Sequence, residues 1–344
     1  MKPLADYPFD DFENYGVAPE FEGRKRFSLI LNNTAALHRH RHFGPNHVMR
    51  RLCQGLVDIN LPPLLYANDQ AGLDLVLSVL EQPPTLVVLN GEGTMHDDQR
   101  RAVMLLRMAQ DLSARGIPTV LINTIWQNNS AETATMLANI DLIAARENQS
   151  HQALLKIRPD TLLVPDLLLS AQMGFVKIQG EGIGVVDCSA RSKSLDLMRF
   201  AAAQGHRFYA MERRLLDKPD LIRNTGLNPD AITMPQLEDI SNHNAWVVGR
   251  FHFAMALMVH GIPFAALPTK VHKMQAMLHD AGLMGCLLPD DWQSLTIKEQ
   301  QLAVQTALGS WNSATLKRAQ TYVKAAERST NAMFACLVAL QPSD

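Results

Sequence analysis

The sequence predicts two consecutive α/β domains, each built on a mainly parallel sheet, and a helical C-terminal tail. Short apolar runs alternate with helix-like segments over the first 170 residues, pause at 170–182, and then start again. Strands that are apolar along their whole length are typical of parallel sheets, because helices cover both faces of such sheets. We therefore predict a first domain at 1–172 and a second domain, which includes the tail, at 173–344.

The individual elements follow from these runs and from helix-start signals such as Gly44-Pro45, since proline suits the first turn of a helix. The predicted strands are 27–33, 64–68, 85–91, 119–124, 142–146 and 161–166, then 182–187, 207–211, 232–235, 245–249 and 263–267. The predicted helices are 45–56, 71–81, 97–115, 131–138 and 149–156, then 192–204, 251–260 and 270–281, with a mostly helical tail at 293–338. In tandem domains of this kind the site is expected in the cleft between them, at the carboxyl ends of strands.

The composition indicates a globular protein with a nearly balanced charge. Apolar residues make up 47% of the chain, and 32 Lys and Arg stand against 34 Asp and Glu, for a net charge of -2. A general nucleic-acid-binding protein usually carries a clustered basic excess, so we expect no nucleic-acid partner. A local basic pocket for a phosphorylated substrate is compatible with this balance.

The cysteines and the N-terminal segment favour a reducing compartment. The first residues lack the apolar core of a signal peptide, and no stretch approaches the roughly 18 apolar residues of a membrane-spanning helix. We therefore expect a cytoplasmic protein. The cysteines lie far apart and form no CxxC pair, which favours buried apolar side chains over disulfides or zinc ligands; they are Cys53, Cys188, Cys286 and Cys336.

The clearest local signal is the exit of the third predicted strand. Gly91 and Gly93 flank Glu92, and His96 and Asp97 are expected in the first turn of the following helix. Glycines let backbone N–H groups approach a ligand, and a helix start favours an anion. The alternative is a tight turn with an aspartate cap. The pattern is neither a P-loop nor a complete GxGxxG.

A second signal follows the strand that ends at Gly249. Arg250 is expected just before a helix, and His252 in its first turn. Arginine binds carboxylates and phosphates through paired hydrogen bonds, and histidine exchanges protons near neutral pH. The alternative is that both side chains are held by hydrogen bonds within the fold.

Two further segments carry charged residues in predicted loops. His38, His40 and His42 lie in a basic loop that is compatible with an anion site, with a metal site if the alternating side chains share a face, or with a solvated surface. Arg146 ends a strand and either faces the cleft or forms a surface ion pair with Glu147.

The order of these segments resembles the polysaccharide pyruvyl transferase family, over roughly residues 27–275. That family is similar to glycosyltransferases of the GT-B architecture, in which two Rossmann-like domains face each other across a cleft. The Arg-x-His helix start, followed by Gly-x-Pro and a later Lys, is the most specific part. The segments are NNT and HFGPNHVM, LNGEGTMHDD, ARENQSHQALL, LLVPD and GRFHFAMALMVHGIPFAALPTKV.

The resemblance implies transfer of an enolpyruvyl-derived group from phosphoenolpyruvate to a sugar of a cell-surface polysaccharide or its lipid-linked precursor. The product is a pyruvate ketal on two hydroxyls. The implied partners are therefore phosphoenolpyruvate and a glycan or lipid-linked sugar, which allows peripheral association with a membrane. No metal and no other cofactor are expected.

The resemblance also implies the residues that bind the donor. Arg250 and His252 match the family's Arg-x-His, Lys270 matches the later Lys, and Arg146 matches the Arg of an Arg-acid pair. The family usually has Asp where this chain has Glu147, and the spacing to the final Lys is shorter here. Arg146, Arg250 and Lys270 are expected to neutralise the carboxylate and phosphate of the donor.

Proton transfer requires an acid for the donor and a base for each attacking hydroxyl. His252 is the expected acid, and Glu92, Asp97 or His42 is the expected base. Gly91, Gly93 and His42 are also expected to contact substrate. Glu92 replaces the central glycine of the family's triple-glycine strand exit.

Two other functions fit the same sequence. A GT-B glycosyltransferase would hold a sugar nucleotide in the second domain and use Glu92 or Asp97 to deprotonate the acceptor. A non-catalytic sugar- or phosphate-binding protein would retain the scaffold alone. Fold does not separate these functions, because function depends on the site.

Overall fold

The computed structural model describes residues 26–32, 43–67, 70–80, 82–173 and 178–341. The chain divides into two compact units. Unit 1 comprises the described residues of Met1–Arg41, Val48–Ala171 and Ala326–Asp344, and unit 2 those of His42–His47 and Gln172–Ala325.

Unit 1 is built on a parallel sheet with the strand order β2-β1-β3-β4-β5-β6. Its central strands are buried along their whole length, as in β3 and β4, because helices cover both faces. The strands are β1 (Ser28–Asn32), β2 (Pro63–Ala67), β3 (Leu86–Asn90), β4 (Thr119–Thr124), β5 (Leu142–Ala145) and β6 (Leu162–Leu163).

The helices that precede Ala171 alternate with these strands. Helix α3 buries one apolar face in the core of unit 1, with Leu105, Leu106 and Met108 fully buried there. The helices are α1 (Phe43–Asp58), α2 (Gln70–Val79), α3 (Arg100–Ala114), α4 (Ala131–Thr135) and α5 (Asn148–Leu155). Short 3₁₀ segments follow at Met136–Asn139 and Leu167–Ser170.

Unit 2 repeats this plan with a smaller parallel sheet in the order β10-β9-β7-β8. Its strands are β7 (Ile183–Cys188), β8 (Arg207–Tyr209), β9 (Ala245–Gly249) and β10 (Phe264–Ala266). The later helices are α6 (Arg191–Gln204), α7 (Arg213–Leu216), α8 (Pro219–Arg223), α9 (Phe251–His260), α10 (Lys273–Asp280), α11 (Ile297–Gly309) and α12 (Ser313–Ala339).

The end of α12 packs against α1 within unit 1. The ring of Phe334 fills the space beside Gly55, since a Cβ there would lie 2.1 Å from its Cζ. Arg51 stacks on the same ring, 5.0 Å from its centroid, and donates to Asn331 Oδ1 at 2.6 Å. The sequence predicts the whole tail in the second domain, whereas the described residues of Ala326–Asp344 belong to unit 1.

Two sequence predictions about elements are wrong. The segment 232–235 is not a strand, because Thr233 forms a single isolated bridge to Tyr209. The helix predicted from 97 begins at Arg100, since the backbone at Asp97 is left-handed (φ 51°).

No helix in the part of the chain that the structure describes combines the length and the apolar character needed to span a lipid bilayer.

Candidate functional sites at two sheet edges

Most of the site residues that the sequence predicts in the first domain lie at the carboxyl edge of the unit 1 sheet. Strands β3, β4 and β5 are parallel, so their exits meet at this edge. Gly91 and Glu92 follow β3, Arg146 follows β5, and Asp166 lies just beyond β6. This is the edge at which open parallel sheets bind ligands.

Arg146 is buried between two carboxylates at this edge. Its Nη1 lies 3.0 Å from Asp166 Oδ2 and 3.6 Å from Glu92 Oε2, and the three side chains are 1%, 2% and 6% exposed. Asp166 also accepts a hydrogen bond from Leu168 N at 3.0 Å. The positive charge of Arg146 therefore faces two carboxylates within unit 1, and donor binding by Arg146 stays a prediction.

Glu147 has a structural position at the start of α5. Both of its carboxylate oxygens accept from Ser150 N, at 3.0 and 2.9 Å, which caps the helix. Ser150 Oγ in turn accepts from Trp126 N at 2.6 Å. Glu147 and Arg146 are both buried, so the interpretation as a surface pair is wrong. Glu147 links α5 to the loop after β4 through Ser150.

The turn after β3 requires its first glycine for packing. A Cβ on Gly91 would lie 2.6 Å from Thr124 Oγ1, and Gly91 O accepts from Thr94 N and Thr94 Oγ1 at 3.2 and 2.7 Å. The tight-turn interpretation therefore explains Gly91. Gly93 is half-buried in the same turn. Ligand contact by either glycine stays a prediction.

Asp97 and the residues beside it form a loop before α3. Asp97 N donates to Gln127 O at 3.0 Å, and Asn128 Nδ2 donates to Asp97 Oδ1 at 3.2 Å. Asp97 Oδ2 lies 2.9 Å from His96 Nδ1. The sequence predicts His96 and Asp97 in the first turn of a helix, whereas both precede α3. Asn128, which comes from a separate loop, is not among the predicted residues.

At the carboxyl edge of the unit 2 sheet, Arg250 pairs with a buried aspartate. Arg250 Nε and Nη2 donate to Asp187 Oδ1 and Oδ2, each at 2.7 Å, and Glu212 Oε2 lies 3.5 Å from Nη2. Burial acts to lower the pKa of Arg250, but the charge of Asp187 and its hydrogen bonds outweigh burial and raise this pKa above its ordinary value. Arg250 thus stays charged, and its side chain is 20% exposed.

Arg250 and His252 share one helix start, as the sequence predicts. Arg250 is the extended N-cap of α9, and His252 is the second residue of the helix. The His252 ring is half-buried and its centroid lies 5.7 Å from that of Phe251. An acid role for His252 stays a prediction.

Further cations lie at the same edge of unit 2, and two of them are not among the residues predicted from the sequence. Arg191 and Lys193 occupy the first turn of α6, which follows β7, and Lys193 Nζ donates to Pro268 O at 2.9 Å. Lys270 is exposed in the segment after β10. Cations in a first helical turn oppose the helix dipole unless an anion lies nearby. In the sequence, the only indication of these cations is that Arg191 and Lys193 follow closely after the strand that ends at Cys188.

His38, His40 and His42 lie outside the described residues, so the anion and metal interpretations of that loop, and the base role of His42, stay predictions.

The fold is also found in solved structures. A UDP-GlcNAc 2-epimerase from Methanocaldococcus jannaschii, in complex with UDP-GlcNAc and UDP, has a TM-score of 0.56 at 10% identity, covering 87% of this chain and 99% of the epimerase. A glycotransferase of kitacinnamycin has a TM-score of 0.56 at 12% identity, covering 93% and 100%. A putative UDP-N-acetylglucosamine 2-epimerase from Listeria monocytogenes has a TM-score of 0.54 at 10% identity, covering 91% and 96%.

These likenesses show the fold class. The protein has two parallel-sheet α/β domains of the GT-B type and a C-terminal helix. No known family model matches the chain, and no curated protein sequence matches it either.

Proposed function

We propose that this chain is a transferase that moves a group from a phosphate-bearing donor to a sugar hydroxyl. The cations at the carboxyl edge of unit 2 carry this proposal. Helices α6 and α9 start beside the neighbouring strands β7 and β9, and their starts bear Arg191, Lys193 and Arg250. The N-cap residue of α6 is Ala190, which makes no side-chain capping hydrogen bond. N–H groups at a helix start together with cations suit a phosphate.

The first candidate donor is a nucleoside diphosphate sugar. The fold is shared with a glycotransferase and with an epimerase whose structure contains UDP-GlcNAc and UDP. The negative charge of a diphosphate complements Arg191 and Lys193. This donor gives a glycosyltransferase.

The second candidate donor is phosphoenolpyruvate, which gives a pyruvyl transferase. The observation that favours it is the helix start of α9, where Arg250 and His252 stand as in the Arg-x-His motif of the family that the sequence resembles. Phosphoenolpyruvate carries two anionic groups, for which Arg250 and Lys270 are the proposed partners.

Ligand-induced thermal stabilisation tests the proposal and separates the donors. A ligand at 100 times its Kd stabilises a protein by about 2.7 kcal/mol, so binding is visible as a rise in Tm. UDP is expected to raise Tm if the donor is a sugar nucleotide, and phosphoenolpyruvate if it is a pyruvyl donor. Stabilisation by a glycan alone would instead favour a non-catalytic binding protein.

A matched pair of variants locates the binding. Arg191→Ala is expected to weaken the response, because it removes a cation from the first turn of α6. Arg199→Ala is the control, since Arg199 lies on the same helix and pairs with Asp196 at its exposed surface. Equal responses in both variants, or no response of the wild type to either ligand, would contradict the proposal.

A further inference from the structure

We propose that Asp187 is the positioning residue that holds Arg250 in the orientation in which it binds the donor. This inference rests on the proposed transferase function and concerns the same edge of the unit 2 sheet. It does not depend on which donor is used, because a diphosphate and phosphoenolpyruvate both present oxygens that a guanidinium can bind. It gives a function to a carboxylate whose charge alone would work against an anionic ligand.

Asp187 lies at an irregularity in the sheet of unit 2. Val186 pairs with Val248, and Cys188 pairs with Gly249. Asp187 is therefore an extra residue between two consecutive pairs. Insertions of this kind re-aim a side chain and are common next to active sites. The two strands also approach closely here, since a Cβ on Gly249 would lie 2.7 Å from Asp187 O. The sheet is thus irregular at the residue whose carboxylate meets Arg250.

The carboxylate of Asp187 holds the guanidinium of Arg250 from one side. Arg250 Nε and Nη2 each donate over 2.7 Å to a different oxygen of Asp187, whose side chain is fully buried. Asp187 Oδ2 also accepts from Glu212 N at 3.1 Å, which ties the exit of β7 to the segment after β8. Two parallel bonds fix the plane and the direction of a guanidinium, so the buried Asp187 determines where Arg250 points.

The remaining nitrogen of the guanidinium is the one that a ligand can use. The bonds to Asp187 come from Nε and Nη2, and in the part of the chain that the structure describes nothing accepts from Nη1. The Arg250 side chain is partly exposed, although its partner is fully buried. Arg250 is also the N-cap of α9, so the N–H groups of a helix start lie next to it in the chain. These features together suit an oxygen of a phosphate or a carboxylate.

Charge and position give opposite expectations for the loss of Asp187. A negative charge beside Arg250 weakens the attraction of an anionic ligand, so on charge alone the loss of Asp187 would strengthen donor binding. If Asp187 acts by orienting Arg250, its loss weakens donor binding instead. Glu212 provides the comparison. Its Oε2 lies 3.5 Å from Arg250 Nη2, but its side chain is 41% exposed and forms neither of the two bonds that hold the guanidinium.

The first experiment measures the affinity of the full chain for UDP and for phosphoenolpyruvate by calorimetric titration. Asp187→Asn is expected to weaken donor binding about tenfold, as the loss of an orienting partner does at metal sites. Glu212→Gln is expected to bind the donor at least as tightly as the wild type. Asp220→Asn is the matched control, since Asp220 pairs with Arg223 on an exposed surface. Urea unfolding of each variant shows whether it is folded.

A double variant tests whether Asp187 acts through Arg250. Arg250→Lys keeps a positive charge but lacks the paired N–H groups, so it is expected to bind the donor less tightly. Asp187→Asn added to Arg250→Lys is expected to cause little further loss, because the two residues act as one unit. A further loss as large as the one that Asp187→Asn causes alone would show that Asp187 acts on the ligand by another route, and would overturn the inference.

The orientation of Arg250 can also be measured without a variant of Asp187. Nitrogen-15 NMR of the labelled full chain is expected to show an Arg250 Nε–H that exchanges slowly with water, because this proton is bonded to a buried carboxylate. Arg250→Lys identifies the signal by its loss. Rapid exchange of this proton would overturn the inference, even if Asp187→Asn fails to fold.

The outcomes separate this inference from the proposed function. Donor binding by the wild type, with equal or higher affinity in Asp187→Asn, would overturn the positioning role and leave the transferase proposal standing. An equal loss in Glu212→Gln would overturn it too, because the effect would then not depend on the paired bonds. A wild type that binds neither UDP nor phosphoenolpyruvate would overturn the proposed function and, with it, the role of Asp187 in donor binding.

Discussion

Glu92 holds a backbone conformation that usually belongs to glycine. Its φ is 48°, and the family that the sequence resembles has a glycine at this position. The carboxylate lies 3.6 Å from Arg146 in a buried environment, and Glu92 O accepts from Ile125 N at 3.3 Å. A long-range ion pair thus accompanies a strained residue, which explains how a glutamate is tolerated in a turn of this kind.

Replacing Glu92 with glycine and with alanine separates these two effects. Both variants lose the contact with Arg146, but alanine keeps the left-handed strain and glycine relieves it. We expect Glu92→Ala to be less stable than Glu92→Gly by about 1 kcal/mol in urea unfolding. An alanine variant as stable as the glycine variant would contradict this expectation.

Arg250 is predicted to stabilise the fold as well as to bind the donor. Its removal leaves Asp187, which is fully buried, without its cation. Arg250→Ala is therefore expected to cost about 3–5 kcal/mol in denaturant unfolding, and the double variant with Asp187→Ala to recover part of that loss. If Arg250→Ala unfolds like the wild type, the pair contributes little to stability.

At the level of the elements, the strands could be predicted from the sequence because a parallel sheet buries both faces of a strand, which makes the strand apolar along its length. Their predicted positions agree with the observed strands to within a few residues in unit 1. The start of α3 could not be predicted from the local sequence. The backbone of Asp97 and Asp98 depends on hydrogen bonds to residues 127–130, about 30 positions away. Asp187 and Arg250 are also far apart along the chain, so no local sequence pattern predicts that they pair.

The cap of α5 gives a prediction at this scale. Glu147 is buried and accepts twice from Ser150 N, so Glu147→Ala is expected to cost about 1 kcal/mol. Glu147→Asp, which restores the residue usual in the similar family, is expected to keep part of the cap. Chemical unfolding of both variants measures this, and an alanine variant of unchanged stability would remove the capping role.

At the scale of the whole molecule, two α/β units and a C-terminal helix share their fold with sugar-nucleotide enzymes at about one identical residue in ten. The fold class could be predicted because it depends on a repeated apolar pattern. The donor could not, because it depends on a few cations and carboxylates that packing brings together. Arg191 and Lys193 are candidates because α6 follows β7, and β7 pairs with β9, the strand that Arg250 follows.

The stability of the molecule is expected to fall on mild acidification. Burial, the largest cause, lowers the pKa of His206, His243 and His260 in the folded chain. The folded state thus favours neutral imidazoles, and this stability is fully present above the unfolded pKa of about 6.5 and is lost as pH falls through the lowered folded pKa.

Urea unfolding between pH 7.5 and 5 measures this dependence. His243→Gln is expected to show a shallower fall than the wild type, since it removes one of the three groups. Hydrogen bonds lower the pKa of Asp98 and of Glu299. These two carboxyl groups therefore change the stability only at more acidic pH, outside the measured range. Stability that is constant or rises on acidification would contradict the prediction.

Whether the chain transfers a group to a sugar hydroxyl is decided by the mass of the acceptor after incubation with each donor. A nitrophenyl glycoside panel is mixed with the wild-type chain and either UDP-glucose or phosphoenolpyruvate, and products are read by mass spectrometry with release of UDP or phosphate measured in parallel. We expect a glycoside that gains a hexosyl group or a pyruvate ketal, with matching release of UDP or phosphate from one donor. Unchanged acceptors and intact donors throughout would contradict it.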